Sequence, residues 1–138
     1  SESIKCFLVQ VKNGRWRRPG NKRWNTFKSL PVGAMWFAPW LDDRFKPQLE
    51  HVLIVRTPGG DWTIDGEANN CTTPHQPITP GDGRTYTRFQ EDHHCWIIHG
   101  TPPDITVDKN GVTCQAGGGS ILQGSWHGFL RNGHLVVA

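Results

Sequence analysis

The sequence predicts a mostly β domain, a small antiparallel sandwich or a partly open barrel with long loops. Three observations lead there. Apolar residues come in short stretches rich in Val, Ile, Trp and Phe, which suit a pleated, half-buried surface. Sixteen glycines and ten prolines divide the 138 residues into short pieces. No stretch repeats apolar residues at i, i+3, i+4 and i+7 over three turns, so helix is confined to one or two short segments, and a β-rich α+β fold is the nearest alternative. The length suits a single domain, residues 1–138. Only 36% of residues are apolar, but seven Trp and six Phe offset this because each ring buries a large area.

In chain order, residues 5–11 read as a first strand, rich in β-formers. Residues 12–30 are crowded with Arg, Lys, Asn and Gly and hold no clean period, which predicts a basic, Trp-bearing loop or ribbon. Pro31-Val32-Gly33 restarts the fold, residues 34–38 form a second apolar strand, and Pro39 to Asp43 leave it. Residues 51–57 are the clearest strand, and their continuous apolar run predicts burial on both faces. Pro58-Gly59-Gly60 turns that strand into a returning one over 61–65. Residues 66–92, punctuated by Pro74, Pro77 and Pro80-Gly81, are expected as a long loop. Residues 95–99 and 105–107 are strand candidates on either side of Pro102-Pro103. Two Asn-Gly pairs supply positive φ for hairpin turns: Asn110-Gly111 into 112–114, and Asn132-Gly133 between 126–130 and 135–137.

The net charge is +3, and it is unevenly spread. Residues 1–41 carry eight Lys and Arg against the single acid Glu2, whereas residues 42–138 carry seven basic and eleven acidic residues. Lys12, Arg15, Arg17, Arg18, Lys22, Arg23 and Lys28 interleave with Trp16, Trp24 and Phe27. Cations attract phosphates and exposed rings stack on bases, so this segment is the candidate contact face for nucleic acid or an acidic protein surface. The alternative is a solvated basic loop whose Trp rings pack inward. There is no RNP, KH or helix-turn-helix signature. No apolar run approaches the roughly 20 residues that span a bilayer, so no membrane association is expected. The four cysteines would suggest two disulfides in a secreted domain, but no secretion signal is evident, and reduced thiols are expected.

The densest polar cluster lies in the last third: His93-His94-Cys95, His99, Cys114, Gly117-Gly118-Gly119-Ser120 and His127. Zinc favours such donors in tetrahedral sets, and His94, Cys95, His99, Cys114 and His127 are the candidate ligands. The spacing is a weak signal, because no C-x₂-C pair is present. On a strand Cys95 and His99 would stand ~13 Å apart, and His94 and His99 would face opposite sides. The same groups allow nucleophilic chemistry, with Cys71, Cys95 or Cys114 paired to His94, His99 or His127, Asp104 or Asp65 orienting the base, and the triple Gly supplying backbone N–H groups. No nucleophile-elbow or cysteine-enzyme signature accompanies them. The catalytic candidates are thus His94, Cys95, Cys114 and His127. Against both readings, Cys95 and Cys114 make ordinary small core residues. Trp36, Trp40, Trp62, Trp96 and Trp126 are expected in the core. Asp42, Asp43, Glu91 and Asp92 are expected as solvated charge, and Asp65 and Asn70 as turn or capping groups.

Several of these stretches also resemble a known group. Residues 31–41 look like PPGAMW(Y/F)AxWL, and residues 57–65 like TPGGEWxID. Residues 93–111 resemble HHCWVRHGxPPxITVDKNG, and residues 113–133 resemble TCxAGxGSI followed by YHGFLRNG. Together and in this order they are similar to small uncharacterised proteins encoded by bacteriophages and prophages. The likeness covers most of residues 31–135. Longer members carry an inserted Cys-pair segment near the N-terminus that looks like a zinc ribbon. This chain runs from its basic stretch straight to Pro31, so that zinc role does not carry over. The resemblance implies a phage origin and action in the bacterial host cytoplasm, and it implies no reaction. The leading expectation is therefore a non-enzymatic accessory protein that binds a host or nucleic-acid partner through its basic segment. The alternatives are a zinc-binding or cysteine-dependent Cys/His site, and a virion or assembly component.

Overall fold

A computed structural model describes residues 3–68, 71–89, 93–111, 114 and 119–138. The chain opens with β1 (Ser3–Lys5), β2 (Phe7–Leu8), β3 (Gln10–Lys12), β4 (Arg15–Arg17) and β5 (Asn25–Thr26). A 3₁₀ turn, Phe27–Ser29, precedes β6 (Ala34–Phe37), and a second, Pro39–Leu41, follows it. Next come β7 (Leu53–Thr57), β8 (Gly60–Thr63), β9 (His75–Ile78) and β10 (Tyr86–Phe89). The last third holds β11 (Trp96–Thr101), β12 (Asp104–Lys109), β13 (Ile121–Gln123), β14 (Trp126–Arg131) and β15 (His134–Val137). The protein is mostly β, built from several small antiparallel sheets with no closed barrel. Among the described residues the one parallel pairing is β2 with β6. Among the described residues there is no α-helix, and no helix is long and apolar enough to cross a membrane.

The middle layer is the sheet β2-β6-β7-β8. Side chains on a strand point alternately to its two faces, and both faces here are covered. Met35, Leu53, Val55 and Trp62 face the larger core, with Ile105, Val107, Ile121, Leu130 and Leu135. Ala34, Trp36, Val52 and Ile54 face a second core, with Val9, Trp16 and Leu30. The unbroken apolar run at 51–57 has this cause: alternate residues serve two different cores. The larger core is closed by the sheet β1-β15-β14-β13 and by the hairpin β11-β12. The second is covered by the sheet β3-β4-β5.

Polar clamps join the layers. The Asp65 carboxylate accepts the N–H groups of Gln48 and Leu53, each at 3.0 Å. Burial raises its pKa, and those two backbone donors oppose the rise. The Gln48 side chain bonds β11 as a neighbouring strand would, donating to the Trp96 carbonyl at 2.8 Å and accepting from the Ile98 N–H at 2.9 Å. Arg56 binds Asp61 through two nitrogens, and donates to the Leu30 carbonyl at 2.8 Å.

Several expectations need correction. Others hold: of the loop or ribbon expected over residues 12–30 the structure has the ribbon, in which β4 and β5 join β3 in an antiparallel sheet whose first turn, Asn13-Gly14, has φ of +52° and +72°. This is the two-residue turn that suits strand twist. Residues 66–92 are not all loop: β9 pairs with β10, Tyr86 opposite Ile78 and Phe89 opposite His75. Pro77 fits because a two-stranded ladder leaves an N–H side unused. Asn132-Gly133 turns β14 into β15 as expected. Neither Asn110 nor Gly111 has the positive φ expected of a hairpin turn, and residues 112 and 113 of the expected return strand lie outside the described residues. β12 pairs with β11 across Pro102-Pro103, and Asn110 is engaged elsewhere. Trp40 is 58% exposed rather than core. Asp42 is not solvated charge: its carboxylate binds the Val52 N–H at 2.9 Å and His51 at 2.6 Å. The readings placed on Asn70, Glu91, Asp92, Val112, Thr113, Gly117 and Gly118 lie outside the described residues.

Candidate metal centre

Four donors meet beside the larger core: Cys71, His93, Cys95 and Cys114, whose ligating atoms all lie within 4.8 Å of one another. The His93 Nε2 stands 3.4 Å from Cys71 Sγ, 3.4 Å from Cys95 Sγ and 3.2 Å from Cys114 Sγ. A tetrahedral zinc with bonds of about 2.3 Å to sulfur and 2.0–2.1 Å to nitrogen puts those N···S edges at roughly 3.5–3.6 Å. The observed N···S edges are shorter by up to a few tenths of an ångström, and the sulfurs, which the same tetrahedron would hold about 3.8 Å apart, lie within 4.8 Å of one another, so the four donors would close on one zinc ion with a shift of the sulfur positions. One nitrogen facing three sulfurs is the pattern of ligands around a point. A catalytic dyad needs one sulfur on one nitrogen.

The elements that place these donors are short and tied together. Cys71 follows β8, and its N–H bonds the Ala68 carbonyl at 3.1 Å. His93 and Cys95 stand immediately before β11. Residues spaced i, i+2 share one side of an extended chain about 6.6 Å apart, a gap these two side chains close, with Nε2 and Sγ meeting at 3.4 Å. Asn110, at the end of β12, links the rest. Its N–H donates to the Cys95 carbonyl at 2.8 Å, its side-chain amide to the His94 carbonyl at 3.0 Å, and its own carbonyl accepts the Cys114 N–H at 2.9 Å. The pair expected to make a hairpin turn instead docks two ligand-bearing segments onto each other. The His93 ring also packs edge-on against Phe89 at 4.5 Å.

The electrostatics suit metal binding. Burial, with the neighbouring His94 and His75, lowers the pKa of His93, which favours the neutral, ligating imidazole. Burial raises that of Cys95 well above the ordinary thiol range, so a bound cation is what would make its thiolate stable there. For Cys71 burial also opposes ionisation, but hydrogen bonds from Thr73 and the other two thiols outweigh it and lower its pKa. Three thiols and one imidazole would complete a tetrahedron and leave no open position, the arrangement of structural rather than catalytic zinc.

This set is not the one expected from the sequence. Cys95 and Cys114 are in it, while His94, His99 and His127 are not. His99 lies on β11 with its ring toward Asp108, 3.2 Å away. His127, on β14, meets Ser120 Oγ at 2.7 Å. His94 is near enough to Asp65 to favour its charge. Asp104, offered as an orienting carboxylate, pairs with Lys5 at 3.8 Å on the surface. Cys71 and His93 were the missed ligands. The available signal was the His93-x-Cys95 pair, since residues two apart share one side of an extended chain.

The basic segment is divided by its fold. Trp16 is 8% exposed, its ring in the second core and its indole N–H on Ser29 Oγ at 3.0 Å, so it is no contact residue. Trp24 is half-buried under the Arg17 guanidinium, 4.3 Å above the ring. Arg18 covers Phe7 at 4.1 Å. Lys12, Arg15, Lys22, Arg23 and Lys28 are exposed, and among the described residues none pairs with a carboxylate. Compared with known protein families, curated proteins and solved structures, the chain matches none.

Proposed function

We propose that this chain is a zinc-binding accessory protein in which the metal is structural and the working surface lies elsewhere. The observation that carries the reading is the convergence of Cys71, His93, Cys95 and Cys114 within 4.8 Å. Residues 71, 93–95 and 114 come from three separate connections, and one ion would fasten them together. Free thiols as ligands suit a reducing compartment, and the motifs of residues 31–135 support a phage or prophage origin with action in the host cytoplasm. Elemental analysis should find one zinc per chain. Cobalt substitution should give the intense thiolate-to-metal absorption and visible bands of a tetrahedral site. Cys95→Ser or Cys114→Ser should abolish both, while Cys6→Ser, in the same core but outside the cluster, should keep them. Absence of zinc, or cobalt spectra unchanged in the two ligand variants, would refute the assignment.

A separate observation supports a contact role for the basic sheet. Its exposed cations have no carboxylate partner among the described residues, so their charge is left for an anionic partner.

A further inference from the structure

We propose that the outer face of the sheet β3-β4-β5 binds single-stranded nucleic acid, with Trp24 as the base-stacking platform. The inference rests on the reading of that sheet as a contact face, and it names the partner.

Register decides which side chains share the face. Gln10 lies opposite Arg17 and Lys12 opposite Arg15, while Val11 lies opposite Trp16. Directly opposed residues point the same way. One face is therefore Val11 and Trp16, turned into the second core, and the other is Gln10, Lys12, Arg15 and Arg17, turned to solvent. Lys12 and Arg15 form a like-charged cross-strand pair, which costs stability and has no carboxylate among the described residues to relieve it. A phosphate between them would.

Beside this pair lies a shallow, open depression lined by Lys12, Asn13, Arg15 and Trp24. The Trp24 ring is held by the Arg17 guanidinium at 4.3 Å, and Arg17 Nε is anchored on Gln10 Oε1 at 2.7 Å. A fixed ring beside two cations presents stacking surface and charge within one nucleotide's reach. Lys22 and Arg23, exposed and next to Trp24 in the chain, extend the cationic track. Single strands expose base faces, whereas a duplex keeps them stacked inside, where Trp24 would find none.

The test uses the zinc-loaded full chain and labelled oligothymidylate and oligouridylate of about 15 nucleotides, the length scale of one small-domain site. Controls are a matching duplex and polyglutamate. The single strands should bind at least about tenfold tighter than the duplex. Four neutralised phosphates predict about 50-fold weaker binding at 200 mM than at 50 mM salt, and Lys12→Ala with Arg15→Ala should flatten that slope by about 1.4. Trp24→Ala should weaken binding about 5- to 100-fold, with Trp24→Phe recovering most of it. Arg23→Ala, at an exposed position, serves if Trp24→Ala does not fold, and should weaken binding severalfold. Equal affinity for duplex, or unchanged binding by the Trp24→Ala protein, would overturn the inference while leaving the sheet as a polyanion face. Displacement of the oligonucleotide by polyglutamate of equal charge would assign the face to an acidic protein and also overturn it. If no polyanion binds, the contact face itself is refuted.

Discussion

Each of the four cysteines has a role set by its surroundings. Cys95 and Cys114 are as buried as Cys6, but they face His93, whereas Cys6 faces only the larger core. Burial pushes the Cys6 thiol up to about 12, against a weak opposing pull from the Lys5 charge. A thiol whose pKa is higher in the folded than in the unfolded chain keeps its proton when folded and loses it on unfolding. Stability from this source is thus fully present below the unfolded value near 9 and is lost as pH rises from there towards 12. Between pH 8 and pH 10 the loss is on the order of 1 kcal/mol. Cys6→Ala removes the titrating group, so urea unfolding at the two pH values should show a smaller alkaline loss in that variant. Equal losses would mean that Cys6 reaches water in the native state.

At the scale of elements, the two main sheets of the larger core meet backbone to backbone. The turn between β7 and β8 presses on the end of β13. A Cβ built on Gly59 would stand 1.9 Å from the Gln123 carbonyl oxygen, and one on Gly124 2.6 Å from the Gly59 carbonyl oxygen. Neither obstacle is a flexible side chain that can swing away. Gly59→Ala must therefore separate the sheets, at about 2–3 kcal/mol, which for a domain this size lowers Tm by on the order of 10 °C. Gly81→Ala, with nothing within 4 Å, should melt as the parent does, and a Gly59→Ala protein that also did so would show that the sheets do not meet here. Such a contact is invisible in the sequence, where Pro58-Gly59 reads only as a turn. What was legible was governed by local rules: the two-sided burial of 51–57 and the Asn132-Gly133 hairpin. What was missed depended on partners distant in sequence. Asn110-Gly111 has the composition of a hairpin turn, but the Cys95 and His94 carbonyls claim Asn110. Asn13-Gly14 makes such a turn within a stretch whose charges masked its strands. Two of the four ligands were seen, because Cys95 and Cys114 stood out by type. His93 was lost because Cys95 was weighed against His99 at i, i+4, whereas the i, i+2 partner His93 lies on the same side of the chain within reach of one ion.

For the whole molecule, the two cores should differ in how they depend on the ion. The second core, under β3-β4-β5, contains none of the four ligands, whereas the larger core contains Cys95 and Cys114, with Cys71 packed at its margin. Structural zinc contributes about 10–16 kcal/mol of binding free energy in small metal-folded domains, comparable with the ~5–15 kcal/mol total stability of an ordinary domain. At a free zinc concentration a thousand times Kd the linked stabilisation is about 4 kcal/mol. Chelation should accordingly lower Tm by on the order of 15 °C. The loss should also be uneven. The base of the hairpin β11-β12 carries His93 and Cys95 and, through the Asn110 carbonyl, holds Cys114, so the amides at that end should exchange much faster once zinc is removed, with the Gln48 clamp left as their remaining tie. Those of β4 and β7, held by Trp16, Ile54 and the Arg56 clamp, should keep most of their protection. Hydrogen exchange read by mass spectrometry, with and without chelator below the melting transition, separates the cases. Equal deprotection of β4, β7 and β11 would mean that the ion supports the fold globally, and no change at β11 would mean that the four side chains hold no ion that matters to the fold.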